Sequence, residues 1–366
     1  MRIVHVTEAL GGGILTVLSQ LAQAQIKDGF EVYLVYSVRP GVTPADEIIV
    51  EIFPPPIKLI EIPMVTSISP FKDITSMLRL IKIFFCIKPN IIHLHSSKAG
   101  VLGRAAIFFN RPDHCQCFYS PHGLSILRTD INYIKRKIYL FAEKLCSFAV
   151  NNVLVACSPS EAHVARTIIG HKKVVCVENG VNFKNFPVGL PDYKNSKGIL
   201  TMGRVTYQKA PWKFNELAFR MRECKHEFIW IGSGELEGLF QDEHRKYVKL
   251  LSWMERDCAL QKLSQSSVFV MTSLWEGMPI ALIEAQACGI PAVVMDCVGS
   301  RDVVQHGLTG YICKNLDEME FQVGRLLSST LLRTEIGENA RLFALNHFNI
   351  NKMHRKMLNL YSNYPE

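Results

Sequence analysis

The sequence predicts an α/β fold built in two halves, each a parallel sheet with helices between its strands. Three observations predict it. Short apolar runs alternate with amphipathic stretches along the whole chain, the pattern of strand–helix–strand units. The 366 residues exceed one ordinary domain, and at 48% hydrophobic they can fill two cores. Both halves open on a strand that runs into a glycine-containing loop, at residues 3–13 and again at 198–209.

In chain order, Ile3 to Val6 reads as a buried strand. Glu8-Ala-Leu-Gly-Gly-Gly13 follows, then a helix from Ile14 to Asp28. Strand, glycine-rich loop and helix form a phosphate-binding pattern. The loop lacks both the G-x-G-x-x-G spacing of dinucleotide sites and the Gly-Lys-Ser/Thr of a P-loop. Gly11 reads as a tight turn; Gly12 and Gly13 are the candidates for ligand contact. Glu31 to Tyr36 is the second strand, Pro54 to Pro56 a loop, and Ile57 to Ile62 the third strand. An amphipathic helix covers Phe71 to Cys86. Ile91 to His95 is a strand whose alternation points His93 and His95 the same way. A strand-end histidine at the mouth of an α/β sheet suits ligand contact, and equally a bond to neighbouring backbone. Lys98 and Arg104 lie on the helix that follows.

Cys117 to Ser120 is a strand leading into Pro121-His122-Gly123. The helix expected over Arg128 to Cys146 carries Lys135-Arg136-Lys137 among Tyr133, Ile134, Ile138, Tyr139 and Phe141. Such a helix either lies on a membrane surface or covers its own sheet. Val153 to Cys157 and Val174 to Val177 complete the strands of the first half. Residues 184–198, rich in Asn, Pro, Gly and Lys, read as a linker between domains at 1–183 and 199–345.

The second half begins with the strand Gly198 to Met202 and the loop Gly203-Arg204 to Lys209. Phe228 to Gly232 and Lys246 to Leu251 are strands; Ser252-Trp-Met254 follows the second of them. A helix spans Arg256 to Ser266. Val268 to Met271 is a strand, broken by Thr272 to Gly277, and Pro279 suits the first position of a helix running to Cys288. Ala292 to Asp296 and Gly310 to Cys313 are strands. A terminal helix covers Phe348 to Tyr361 within a final segment 346–366.

The chemistry concentrates at Glu276 and Glu284. Glu276 falls in a loop at the top of a parallel strand, and Glu284 on the helix more than a turn later. Free N–H groups at that helix start attract an anion. Two carboxylates nearby repel it unless cations stand opposite, and Arg204 and Lys209 are the cations the sequence offers. No Asp-x-Asp pair for holding a metal occurs anywhere.

The net charge is +8 and uneven. Residues 1–183 carry 19 Lys and Arg against 13 Asp and Glu, a net of +6; the remainder carry 22 against 20, a net of +2. A basic first half suits an anionic partner. No apolar run reaches the ~20 residues that span a bilayer, and Met1 to Val6 is strand-like rather than a secretion signal. The 11 cysteines are scattered without a framework and read as reduced thiols. Cys115 and Cys117 with His114 and His122 imitate a metal set, but alternate residues of one strand explain the spacing.

Glu276 to Glu284, flanked by Ser273-Leu-Trp and Ala285-Gln-Ala-Cys-Gly-Ile-Pro, resembles the E-x7-E signature of glycosyltransferase family 4. Gly203-Arg204 to Lys209, Gly232-Ser-Gly234 and Glu178-Asn-Gly-Val-Asn182 resemble further segments of that family, and the resemblance covers nearly the whole chain. It implies a GT-B fold of two Rossmann-like domains facing a central cleft, with the terminal helix crossing back to the first domain. It also implies retaining transfer of a sugar from a nucleotide donor without a metal or other cofactor. Arg204 and Lys209, with Gly12 and Gly13, would hold the donor diphosphate. Glu284, Met254, Pro279 and Ile280 would hold the ribose and base. Glu276 and His122 would act at the transferred sugar, Glu276 as a contact or as a nucleophile. His95 and Lys98 would lie toward the acceptor. The sequence departs from the family pattern at Ala210-Pro211, where the lysine is normally followed by glycine, which leaves the geometry of the Lys209 loop open.

Leu10 to Thr16, His95 to Arg104 and Tyr119 to Leu124 are most similar to bacterial O-antigen, capsule or exopolysaccharide transferases. That implies a UDP-hexose or UDP-N-acetylhexosamine donor, a polyprenyl-diphosphate-linked acceptor, peripheral contact with anionic membrane at the inner face of the cell membrane, and no nucleic acid. Two rival readings are a UDP-N-acetylglucosamine 2-epimerase, which needs no acceptor, and a non-catalytic basic binding protein.

Overall fold

The computed structural model describes all residues except 111, 113, 185, 188, 241–246 and 364–366. The chain divides into two compact units, Met1–Gly180 with Ile350–Glu366, and Val181–Asn349.

The first unit holds the strands β1 (Arg2–Thr7), β2 (Glu31–Tyr36), β3 (Lys58–Glu61), β4 (Ile91–His95), β5 (Gln116–Ser120), β6 (Asn152–Ala156) and β7 (Val174–Cys176). They form one sheet in the order β3-β2-β1-β4-β5-β6-β7. All its pairings are parallel. The connecting helices are α1 (Gly12–Lys27), α2 (Asp46–Ile52), α3 (Pro70–Ile87), α4 (Ser97–Phe109), α5 (Tyr133–Ala149) and α6 (Pro159–Val164). Ile3, Val4, Val6, Ile92, Leu94 and Phe118 are fully buried, as parallel strands covered on both faces require.

In the second unit, β8 (Ile199–Met202), β9 (Phe228–Ile231), β10 (Val248–Leu251), β11 (Val268–Met271), β12 (Ala292–Met295) and β13 (Gly310–Cys313) form a second parallel sheet, ordered β10-β9-β8-β11-β12-β13. Its helices are α7 (Pro211–Arg220), α8 (Arg256–Ser264), α9 (Ile280–Ala287), α10 (Leu316–Ser328) and α11 (Thr330–His347). Helix α12 (Ile350–Asn363) belongs to the first unit by its contacts: Met353 Sδ accepts from Gly180 N, and Lys356 pairs with Glu178.

Several boundaries differ from the sequence pattern for local reasons. The helix expected from Arg128 begins at Tyr133, because the Asn132 side chain accepts from Lys135 N at 2.9 Å and caps it there. Pro279 does not enter α9; it precedes the first helical residue in an extended conformation (φ −73°, ψ 115°). Helix α1 starts two residues early, so Gly12 and Gly13 form its first turn. The start expected at Lys246 lies outside the described residues, and β10 runs from Val248. Among the described residues of the segment expected as a linker, Tyr193 is buried in the second unit and donates its hydroxyl to Gly289 O at 2.8 Å.

In both sheets the strand order reverses beside the first strand, between β1 and β4 and between β8 and β11. Loops at the carboxyl ends of those neighbours diverge, and ligands of open α/β sheets bind there.

Candidate active site

Lys209 and Glu276 meet at the second sheet's reversal point. Lys209 follows β8, Glu276 follows β11, and these strands are neighbours. The Lys209 ammonium lies 2.6 Å from Glu276 Oε1, with side chains only 19% and 8% exposed. Their loops are stitched together by Gln208, whose Nε2 donates to Trp275 O at 2.8 Å and to Glu276 Oε2 at 3.3 Å, while Leu274 N donates to Gln208 O. Thr272 Oγ1 donates back to Lys209 O at 2.9 Å. Glu276 N donates to Val298 O, and a Cβ on Gly299 would lie 2.4 Å from Gly277 O, so this loop tolerates only glycine there.

Ala210 adopts the left-handed conformation that glycine takes without strain (φ 48°, ψ 60°), and it is fully buried. The Lys209 loop therefore turns through a strained alanine, at a backbone cost of about 1 kcal/mol. Gly203 and Gly232 serve close approach: a Cβ on Gly232 would sit 2.2 Å from Gly203 O. Arg204 lies exposed on the same loop.

Glu284 is buried on α9, and its cation is Arg256, which the sequence reading did not pair with it. Arg256 Nε donates to Glu284 Oε1 at 2.7 Å. Burial raises the Glu284 carboxyl above its ordinary value, and the Arg256 charge opposes that shift. The missed signal was Arg256 opening the helix before β11. Met254 is half-buried beside exposed Trp253; Pro279 and Ile280 are buried.

In the first unit the reversal point gathers histidines. His5 on β1 and His93 and His95 on β4 are buried, and His93 and His95 have ring centroids 4.2 Å apart, so they do share a face. His95 Nδ1 lies 2.9 Å from His122 Nε2, and His95 Nε2 lies 3.0 Å from His5 Nδ1. With both nitrogens engaged and 1% exposure, His95 has no surface to offer an acceptor. Lys98 donates to Asp73 Oδ2 at 2.7 Å and to Ser67 O, so its charge is matched within the unit. Gly12 and Gly13 are exposed at the N-terminus of α1, with Gly12 at φ 55°, whereas a Cβ on Gly11 would strike Val42 O at 2.6 Å. His122 is half-buried and left-handed (φ 52°). Buried Glu161 steadies its loop by accepting from Gly123 N at 2.7 Å and from Cys157 N at 2.9 Å. His5 and Glu161 escaped notice in the sequence, the first as a polar residue inside an apolar strand.

Comparison with known proteins gives this arrangement a class. The family model "Glycosyltransferase Family 4" matches residues 11–185 and "Glycosyl transferases group 1" matches residues 196–329, so the two together span most of the chain. The fold is GT-B, and the protein is a glycosyltransferase. It belongs to glycosyltransferase family 4. A UDP-Gal:alpha-D-GlcNAc-diphosphoundecaprenol alpha-1,3-galactosyltransferase of Escherichia coli is 29% identical over 321 residues, covering 81% of each chain. The capsular polysaccharide biosynthesis glycosyltransferase CapM of Staphylococcus aureus is 24% identical, over 83% of this chain and 84% of that one. Sucrose-phosphate synthase from Thermosynechococcus elongatus superposes with a TM-score of 0.79 at 18% identity, over 99% of this chain and 98% of that one, a likeness of fold alone.

Proposed function

We propose that this enzyme transfers a hexose or N-acetylhexosamine, with retention, from a UDP-sugar to a saccharide on a polyprenyl diphosphate during synthesis of a bacterial surface polysaccharide. The observation that carries this reading is the Lys209–Glu276 pair at the reversal point of the second sheet. As the anomeric bond breaks, negative charge grows on the leaving diphosphate. Lys209 and Arg204 are the cations that stabilise it, aided by backbone N–H groups. Glu276, held by Lys209 and Gln208, contacts the transferred sugar, and Glu284 takes the ribose hydroxyls. Met254, Pro279 and Ile280 flank the nucleotide. In the first unit, Gly12 and Gly13 offer N–H groups to an anion at the start of α1, and His122 contacts a substrate hydroxyl. With two cations present and no Asp-x-Asp motif, transfer proceeds without a metal.

The donor and acceptor classes draw support from the Escherichia coli relative, which is named for UDP-Gal and alpha-D-GlcNAc-diphosphoundecaprenol. An α product from an α-linked sugar nucleotide is net retention, so its alpha-1,3 linkage fits a same-face attack assisted by the leaving phosphate.

A lipid acceptor requires the enzyme to reach a membrane, although none of the described helices is long and apolar enough to cross one. Helix α5 supports peripheral docking. Its only buried residue is Glu143, locked between Arg104 Nη2 at 2.7 Å and the Tyr119 hydroxyl at 2.8 Å. Its apolar side chains face outward instead: Ile134, Phe141, Leu145 and Phe148 are 53–85% exposed, beside exposed Lys135, Arg136, Lys137 and Lys144. Charge agrees. The first unit holds 22 Lys and Arg against 14 Asp and Glu, the second 19 against 19, so the entire +8 resides where α5 does.

The test is a matrix of UDP-sugars against undecaprenyl-diphosphate saccharides in excess EDTA, read by product mass and anomeric configuration. A product of inverted configuration, or activity restored only by added manganese or magnesium, refutes the corresponding part. Conversion of UDP-N-acetylglucosamine without acceptor identifies an epimerase instead.

A further inference from the structure

We propose that Gln25, His5 and His95 form a hydrogen-bonded chain that holds His122 in its Nε2–H tautomer, so that His122 presents Nδ1 as an acceptor for a substrate hydroxyl. The substrate side of this statement rests on the role given above to His122; the tautomer does not.

Each ring's tautomer follows from where the protons can sit. A neutral imidazole has one donor and one acceptor nitrogen. At the closed end of the chain, Gln25 Oε1 lies 2.8 Å from His5 Nε2, and an amide oxygen only accepts. His5 Nε2 therefore carries the proton, and His5 Nδ1 accepts. The group facing it is His95 Nε2 at 3.0 Å, which must donate. His95 Nδ1 then accepts in turn, and His122 Nε2, at 2.9 Å, donates to it. What remains is the lone pair on His122 Nδ1. These tautomers require neutral rings, and burial supplies them: His5 and His122 are lowered to about 4, and His95 well below its ordinary value.

Gln25 is thus a positioning residue, fully buried on α1 and separated from His122 by two imidazoles, those of His5 and His95. His93 stands outside the chain, its nitrogens 2.8 Å from Ser120 Oγ and 2.7 Å from the Tyr361 hydroxyl. Ligand nitrogens of His5, His93 and His95 lie within 4.8 Å of one another, a spacing that a metal ion also produces. Metal ligation needs lone pairs converging on one point. Here His5 and His95 face each other and His93 is occupied elsewhere, so the hydrogen-bonded chain describes the cluster better. An acceptor Nδ1 also gives selectivity: a sugar bearing a hydroxyl there binds, and a deoxy analogue leaves the nitrogen unpaired.

The experiment is a long-range 1H–15N correlation on full-length protein labelled at the histidine rings, at pH 7, with the His122 signals identified by their loss in His122→Asn. Wild type and Gln25→Glu, which keeps an acceptor at this position, are expected to show His122 protonated at Nε2. Gln25→Leu is expected to mix the tautomers and to lower kcat about tenfold, the worth of one hydrogen bond, with KM for the nucleotide donor little changed. Nδ1 protonation of His122 in wild type overturns the proposal, and that result does not depend on Gln25→Leu folding. So does an unmixed Nε2–H tautomer in folded Gln25→Leu, or one equivalent of zinc retained through dialysis. Full transferase activity in His122→Asn would instead remove His122 from the reaction and leave the tautomer result standing.

Discussion

Lys209 and Glu276 stand 67 residues apart in the chain and 2.6 Å apart in space. Each belongs to a loop at the carboxyl end of one of two neighbouring parallel strands, and the ammonium neutralises the Glu276 carboxylate.

Replacing Lys209 or Arg204 by alanine is expected to lower kcat on the order of 10²–10³-fold, the cost of one lost transition-state donor. Lys209→Ala also strands Glu276, which is 8% exposed. That costs a few kcal/mol against a typical total of roughly 5–15, so the fold should survive. Circular dichroism and urea unfolding separate the two effects. Near-normal kcat in both folded variants would remove these cations from the chemistry. Lys209→Arg should restore only part, because a guanidinium cannot reproduce the ammonium's geometry toward Glu276.

Ala210 stores backbone strain at φ 48° in a fully buried turn. Ala210→Gly is expected to stabilise the protein by about 1 kcal/mol, read as a higher urea midpoint at unchanged slope. Loss of stability in this variant would mean that the Ala210 methyl contributes more by packing than it costs in strain.

The buried histidines make stability depend on pH. His5, His122 and His171 are each lowered by burial from 6.5 to about 4. Between those values the unfolded chain binds protons that the folded chain does not, so their contribution is complete above about pH 6.5 and is lost as pH falls toward 4. Each group adds at most about 1.4 kcal/mol per pH unit in that window. Urea midpoints from pH 7.5 down to 4.5 test this, and a flat profile would contradict neutral burial.

Replacing Lys135, Arg136 and Lys137 together by Gln should weaken sedimentation with anionic liposomes, since each basic residue near such a surface contributes about 1 kcal/mol. Raising salt should shrink the difference between variant and wild type. Phe141→Ser with Phe148→Ser should weaken binding even to neutral liposomes, because those rings are 67% and 85% exposed and their loss removes little packing. Transfer to a short water-soluble acceptor should be spared in both variants. Unchanged liposome binding in both would take α5 out of membrane contact.

Alternation of apolar runs with amphipathic stretches determined the two parallel sheets, because a strand covered on both faces must be apolar throughout, as Val268–Met271 is. Local composition also marked Glu276 and Lys209 in loops at strand ends and Glu284 on the helix that follows, while the family resemblance singled out His122. What it left undecided was partnership. Lys209 meets Glu276 because β8 and β11 are adjacent, and strand order is a property of the sheet rather than of any segment. Arg256 pairs with Glu284 across two elements, and His5, nearly a hundred residues before His95, joins its ring only because β1 lies beside β4. Helix α5 gives the sharpest contrast. Its sequence is amphipathic under either reading, and only the packed structure, with Glu143 turned inward to Arg104, decides that the apolar side faces out.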